Sequence, residues 1–371
     1  MFDYPTRDDF RAHLMRAARL LPGLAVAWGV VAIGASRLAT MRSGDFGAYD
    51  FVGAALCGLT IGGAMAWFET RPVRRGYLNR YPWLDIALRT LVYTIVVGAA
   101  VIAGRTILFH FFPEEANGAV WRPLGEMWDD FRVRRFIILL FLASFALNFI
   151  LHLRLHLGPR NLEAIFTGKY RLPVLEERLF VFIDLIDSTA IAQRIGPLEF
   201  THFKHDFFCD LARPVQRTGG HIVQYVGDEV MITWRRRDLH AAYDPMRFLR
   251  LARLRVGRRR AYYLERYGAV PTFRTGIHAG HVVVAEVGDS RRDIVYSGDV
   301  VNTAARLLQA CRPERCSVLV SREALAWLPG GGRLTDPDEA AARSCHLELR
   351  GRREGIDALA IGGEVPSAAL T

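Results

Sequence analysis

Two aspartates in the second half of the chain have neighbours that suit them to metal binding. Asp184 ends the apolar segment Leu179–Asp184, which predicts a short buried strand. Asp228 follows Gly227 in a two-residue turn between two strand-like segments, a pattern typical of a β-hairpin. Mg²⁺ and Mn²⁺ are hard ions that favour carboxylates together with substrate phosphates. Either aspartate alone is also compatible with a solvated turn residue, so a metal site requires the two to lie close together.

The residues after Asp184 predict a helix that begins beside this site. Ser188 and Thr189 are residue types that cap helix N-termini. The backbone N–H groups and positive dipole end of such a helix attract phosphate groups. Two metal ions a few ångströms apart can activate an attacking hydroxyl and stabilise the leaving oxygen of an in-line phosphoryl displacement. The pattern therefore predicts chemistry on a polyphosphate, with Ser188 and Thr189 as substrate-binding residues.

Asn302 and Arg306 form a third candidate group. They are four residues apart on a helix predicted after Gly298, so they project from the same face. Asparagine can fix a ribose oxygen, and arginine can stabilise charge that develops on an α-phosphate. The same spacing is also common on an ordinary solvated helix face.

Strands and helices alternate from about Glu163 onward and would position these residues. Pro197 suits the first turn of a helix whose apolar residues recur at helical spacing. Those apolar residues are Phe200, Phe203, Phe207, Leu211 and Val215. The predicted order β-α-α-β-β-α-β-β-β-α-β indicates an α/β domain with a mainly antiparallel sheet and a ferredoxin-like core.

Two further elements are expected between the hairpin and Gly298. Asp244 opens a long basic helix that ends at Gly268. The segments Phe273–His278 and His281–Val287 predict a second hairpin, which turns at Ala279 and Gly280.

Three segments together resemble the catalytic domains of class III adenylate and guanylate cyclases. They are Phe182-Ile-Asp184-Leu-Ile-Asp-Ser188-Thr189, Gln224-Tyr-Val-Gly227-Asp228-Glu-Val and Gly298-x-x-Val-Asn302-x-Ala-x-Arg306. The segments occur in the order and spacing of that family, and the resemblance covers roughly residues 170–362. The resemblance implies an enzyme that forms a 3′,5′-cyclic nucleotide and pyrophosphate from a nucleoside triphosphate.

The resemblance also implies a homodimer with composite active sites. Asp184 and Asp228 of one chain would hold two Mg²⁺ or Mn²⁺ ions. Asn302 and Arg306 of the other chain would act on the transition state. The substrate 3′-hydroxyl would attack its own α-phosphorus and expel pyrophosphate.

Gln224 and Val295 stand where members of the family contact the purine base. Members that use ATP usually carry Lys and Asp or Thr at these positions, and members that use GTP usually carry Glu and Cys. This chain matches neither set. Glutamine can both donate and accept hydrogen bonds, whereas valine offers none. ATP is therefore expected as the commonest substrate of the family, and GTP stays open.

The first part of the chain contains four apolar runs, each close to the length that crosses a bilayer as a helix. These runs are Leu21–Leu38, Phe51–Phe68, Leu88–Phe109 and Phe136–His152. Arginines before the first run and between the second and third place both ends of this region in the cytoplasm by the positive-inside rule. We therefore predict a protein of the inner (plasma) membrane that contacts the lipid bilayer.

The predicted organisation has three parts. Residues 1–155 form an N-terminal all-α membrane domain with four transmembrane helices, and residues 156–178 form a linker. Residues 179–371 form the C-terminal α/β ferredoxin-like cyclase catalytic domain.

The net charge of +10 suits an anionic membrane surface. No nucleic-acid partner is expected, because the arginine-rich segments lack an aromatic stacking platform, a helix-turn-helix pattern or zinc-ligand spacing. The five cysteines have no paired spacing, which predicts reduced thiols without a zinc site.

Three alternatives remain open from the sequence. One is a catalytically inactive cyclase-like domain that binds nucleotide or mediates dimerisation. A second is a diguanylate cyclase, although Val226-Gly227-Asp228-Glu229-Val230 only partly matches the hairpin motif of that family. A third is a transporter with a regulatory domain, which the scarcity of ionisable residues in the apolar runs disfavours.

Overall fold

The computed structural model describes residues 159–289, 292–329, 342–349 and 355–363, together with helical positions scattered between 87 and 153. The chain divides into two units, Met1–Leu162 and Glu163–Thr371. Within the described residues, no helix combines the length and the apolar character needed to cross a bilayer. The four predicted transmembrane runs lie wholly or largely outside these residues, so the membrane domain stays a prediction.

The described elements begin with a helix and a long strand. In chain order they are α1 (Pro159–Thr167), β1 (Val174–Leu185), α2 (Ser188–Ile195), α3 (Pro197–Arg217), β2 (His221–Val226), β3 (Glu229–Arg235), a 3-10 turn (Arg236–Asp238), α4 (Pro245–Arg258) and α5 (Arg260–Tyr267). They continue with β4 (Phe273–Val287), β5 (Asp293–Ser297), α6 (Asp299–Ala310), β6 (Val318–Ser321), α7 (Arg322–Trp327), β7 (Arg343–Leu347) and β8 (Ile356–Ile361).

These eight strands form one mixed sheet in the order β2-β3-β1-β4-β6-β8-β7, with β5 paired to the C-terminal half of β4. The pair β4–β6 is parallel and every other pair is antiparallel. This α/β sheet agrees with the predicted fold class of the C-terminal part.

Helices cover both faces of the sheet. Alternate residues of β1 point to opposite faces of the sheet. Leu179 and Val181 belong to the core beneath α2–α5 and α7. Phe180 and Phe182 belong to the core on the other face, beneath α1 and α6. Asp184 continues the Phe180–Phe182 series and therefore lies on the α6 face. A third, smaller core links α6 to the β6–β8–β7 end of the sheet.

Several local predictions are confirmed. Pro197 is the first residue of α3, and Phe203, Phe207 and Leu211 are buried as the helical spacing predicts. The strands β2 and β3 flank Gly227 and Asp228, and Gly227 has a φ of +64°, which a residue without a side chain adopts at no steric cost.

The predicted hairpin at Ala279 and Gly280 is wrong, because β4 is one continuous strand. It pairs with β1 without interruption from Phe273 to Val284, and Ala279 and Gly280 lie opposite Leu179 and Arg178 in that ladder. A Cβ added to Gly280 would lie 3.4 Å from Val300 Cγ2 of α6, an ordinary contact distance. A local turn signal was thus overridden by pairing between distant parts of the chain.

Two boundaries also differ from expectation. The basic helix that Asp244 opens is divided at Arg259 into α4 and α5, and Tyr263 of α5 donates a hydrogen bond to the buried Asp210 of α3 at 2.7 Å. Strand β1 begins at Val174, inside the segment predicted as linker, because Val174 already pairs with Val284 of β4.

Candidate active site

Asp184 lies at the C-terminal end of the central strand β1, where it is half-buried. Its neighbour across the β1–β4 ladder is Arg274, whose charge acts on the Asp184 carboxylate. Sequence analysis missed Arg274, because its position beside Asp184 follows only from the register of two strands that are distant in the chain.

The hairpin between β2 and β3 brings Asp228 to Asp184. The two carboxyl groups are close enough to share a hydrogen bond. Burial and, after it, the negative charges of Asp228 and Glu229 together raise the pKa of Asp184 to about 7, although the charge of Arg274 acts in the opposite direction. The two predicted metal ligands are therefore adjacent.

A divalent cation fits this carboxylate pair. Two carboxylates that repel each other in a partly buried position would be stabilised by a cation between them. Mg²⁺ is commonly held by one or two carboxylates, with substrate phosphates completing its coordination. In the part of the chain that the structure describes, no cluster of three or more His, Cys, Asp or Glu side chains forms a fuller ligand set. The pair thus suits an ion that substrate helps to bind.

Ser188 and Thr189 begin α2, but they do not cap it. The N-cap is Asp187, which has a left-handed backbone with a φ of +56° and makes no capping hydrogen bond through its side chain. Ser188 and Thr189 are the first two helical residues, half-buried and exposed, respectively. Their backbone N–H groups belong to the first turn, where no intrahelical acceptor exists. Whether these residues bind substrate stays a prediction.

Asn302 and Arg306 lie on α6, turned away from the sheet. Val300, Ala304 and Leu308 form the buried side of this helix, whereas Asn302 is exposed and Arg306 half-buried. The predicted roles of Asn302 and Arg306 in catalysis stay predictions.

Gln224 and Val295 lie on different strands. Gln224 is exposed on β2, beside a bulge at Ile222, and Val295 is exposed on β5 opposite Ala285. Their predicted roles in base recognition stay predictions.

A second charged cluster occupies the opposite end of β1. The buried Arg178 forms an ion pair with Glu176 at 2.7 Å and lies 4.9 Å from the ring of Tyr296. The hydroxyl of Tyr170 donates to Glu176 at 3.0 Å and accepts from Arg178 at 3.2 Å and Arg235 at 3.3 Å. Sequence analysis did not identify this cluster, because it is assembled from strand neighbours and a loop.

The fold and the aspartate pair define a class: α/β domains that carry two adjacent carboxylates at the end of a central strand. Residues 175–356 match the family described as the adenylate and guanylate cyclase catalytic domain. This C-terminal part of the chain belongs to that family.

Curated relatives include two bacterial adenylate cyclases. Adenylate cyclase 2 of Rhizobium meliloti (strain 1021) is 38% identical over 216 residues, which cover 57% of this chain and 57% of the relative. The adenylate cyclase of Anabaena cylindrica is 24% identical over 204 residues, which cover 54% of this chain and 38% of the relative. The chain thus spans about half the length of these relatives.

Among solved structures, a bacterial light-regulated adenylyl cyclase is similar with a TM-score of 0.48 and 16% identity. The match covers 62% of this chain and 66% of that chain.

Proposed function

We propose that this protein is an adenylate cyclase that converts ATP into 3′,5′-cyclic AMP and pyrophosphate. The adjacency of Asp184 and Asp228 is the observation that carries the proposal, because it supplies a cation-binding pair on a domain of the cyclase family. The adenylate cyclase relatives support ATP as the substrate.

In the proposed reaction, Asp184 and Asp228 would hold two Mg²⁺ or Mn²⁺ ions. Bound ions supply Lewis-acid activation of the substrate 3′-hydroxyl and neutralise charge on the polyphosphate. The 3′-oxygen forms a bond to the α-phosphorus as the bond to the pyrophosphate oxygen breaks, and the hydroxyl proton passes to solvent. The backbone N–H groups of Ser188 and Thr189 at the start of α2 would bind the phosphates.

Asn302 and Arg306 complete the proposed site from a second copy of the chain. Arg306 stabilises the charge that develops on the α-phosphate, and Asn302 orients the ribose. Their outward position on α6 supports this arrangement, since side chains that face away from their own sheet are available to a partner. The functional unit would be a homodimer with two composite sites.

Gln224 and Val295 line the base-binding region in this proposal. Val295 forms no hydrogen bond through its side chain, so purine selection would depend more strongly on Gln224. The same departure from the usual residue pairs supports a second candidate, a domain that binds nucleotide and dimerises without turnover. The four apolar runs support attachment to the plasma membrane with the catalytic domain in the cytoplasm.

The test is a product screen on the purified full chain. Mn²⁺ is supplied with ATP, GTP, CTP or UTP in separate reactions, and products are identified by mass spectrometry. We expect cyclic AMP, and loss of that product in Asp184→Ala. Cyclic GMP alone would reject ATP as the substrate, and a folded dimer that forms no cyclic nucleotide would favour the binding domain.

A further inference from the structure

The tip of the β2–β3 hairpin carries Asp228 but has little packing of its own. Tyr225 and Val226 are 49% and 56% exposed, and a Cβ added to Gly227 would meet no atom within 4 Å. A metal ligand on such a tip needs an additional restraint, because a small displacement separates its carboxylate from that of Asp184.

Helix α3 supplies contacts to this tip from two side chains one turn apart. Lys204 Nζ donates a hydrogen bond to the carbonyl oxygen of Gly227 at 3.3 Å. Phe208 packs its ring against Tyr225, with 4.6 Å between ring centroids. The spacing of Lys204 and Phe208 puts both on the same side of α3.

The Lys204 hydrogen bond acts on the peptide unit that precedes Asp228. The carbonyl of Gly227 belongs to the planar Gly227–Asp228 peptide, so fixing this oxygen also fixes the nitrogen from which Asp228 extends. Lys204 is itself restrained, because its ammonium group lies 5.2 Å from the centre of the Phe200 ring.

We propose that Lys204 is a positioning residue that holds the Gly227–Asp228 peptide, and through it the Asp228 carboxylate, in the orientation that binds a divalent cation beside Asp184. This inference rests on the metal-binding part of the proposed function and adds a residue to it. Lys204 acts through Asp228 and is not itself a ligand.

Charge and position predict opposite effects when Lys204 is replaced. Removing a positive charge near Asp184, Asp228 and Glu229 would by itself strengthen the binding of a cation. Releasing the hairpin tip would weaken it, because the two carboxylates would no longer be held together. The sign of the change therefore separates a positioning role from a purely electrostatic one.

The experiment measures Mn²⁺ binding to the full chain by electron paramagnetic resonance, without nucleotide. Lys204→Met keeps the apolar length and removes the donor, whereas Lys204→Arg keeps a donor and the charge. His202→Met changes an exposed residue of the same helix and is the matched control. We expect a dissociation constant about 10-fold higher for Lys204→Met, and values within about 2-fold of the wild type for the other two variants.

Equal or tighter Mn²⁺ binding by Lys204→Met would overturn the proposal, as would equal weakening by His202→Met. A wild-type chain that binds no Mn²⁺ would overturn it together with the metal-binding part of the proposed function. If the wild-type chain binds Mn²⁺ but forms no cyclic nucleotide, the proposed function alone is rejected. The Mn²⁺ affinities of the variants would still test the positioning role of Lys204.

Discussion

Two acids on β1 have opposite electrostatic surroundings. Burial and the nearby charges of Asp228 and Glu229 together raise the pKa of Asp184 to about 7. Burial also raises the pKa of Glu176, but a hydrogen bond from Lys169 and the charge and hydrogen bonds of Arg178 outweigh it and lower the pKa to about 2. The charge of Glu176 is thus already balanced by Lys169 and Arg178, whereas the carboxylate of Asp184 would be stabilised by a bound metal cation.

The paired state of Glu176 predicts an acid-sensitive contribution to stability. Because its pKa falls from 4.5 to about 2 on folding, the contribution is complete above pH 4.5 and is lost as the pH falls toward 2. Near neutral pH, Glu176→Gln should lower the free energy of unfolding by about 2–3 kcal/mol, since Arg178 loses its buried counter-charge. Denaturant unfolding of wild type and variant between pH 7 and pH 2.5 measures this.

Glu177→Gln is the adjacent control. Glu177 pairs with Arg236 at an exposed position, so its loss should change the free energy of unfolding by less than about 1 kcal/mol. The difference between wild type and Glu176→Gln should shrink as the pH falls. A difference that stays constant down to pH 2.5 would contradict the assigned ion pairing.

At the scale of single residues, the sequence predicted the positions of two aspartates whose signals come from their neighbours in the chain. Asp184 at a strand end and Asp228 after Gly227 carry local signals, and both lie where the hairpin and strand place them. Arg274, Lys204 and the Glu176 cluster have no such signal, because strand register and helix packing alone bring them to their partners.

At the scale of elements, the position of α6 depends on a close approach to β4. A Cβ added to Gly276 would overlap the backbone of Ala304 and Leu308. Helix α6, which carries Asn302 and Arg306, therefore packs directly on the backbone of β4 at Gly276.

Gly276→Ala should displace α6. Because the overlap is with backbone atoms, a side-chain rotation cannot relieve it, and we expect a loss of at least about 2 kcal/mol in the free energy of unfolding. Cyclase turnover should fall as well, since Asn302 and Arg306 move with the helix. Thermal unfolding and initial rates measure the two effects.

Gly280→Ala tests the same strand without the overlap. Its nearest new contact would be Val300 Cγ2 at 3.4 Å, an ordinary separation. This variant should retain most of its stability and turnover. Similar behaviour of the two variants would show that the approach at Gly276 does not position α6.

The elements themselves were predictable to different extents. Helix α3 and the β2–β3 hairpin follow from helical spacing and from a glycine-containing turn, both local properties. The turn signal at Ala279 and Gly280 predicts two strands where the structure has the single strand β4. The sequence alone does not reveal that β1 pairs across these residues. Gly280 lies within a continuous strand and does not form a turn.

At the scale of the whole molecule, the proposed active site has two parts that lie on different elements. Asp184 and Asp228 meet at the end of β1, whereas Asn302 and Arg306 lie on the outward side of α6. Two copies of the chain can unite these halves, and each copy would contribute to both sites of the dimer. Predictions for the membrane region concern residues outside the described part of the chain.

The most direct test of this composite site is complementation between two inactive variants. Asp184→Ala lacks a metal ligand and Arg306→Ala lacks the transition-state cation, so each alone should lose at least about 100-fold in turnover. Co-expressed in equal amounts, they should recover about a quarter of wild-type activity, because half of randomly formed dimers are mixed and each mixed dimer has one intact site. Activity no greater than that of the two variants measured separately, with mixed dimers present, would contradict a site shared between two chains.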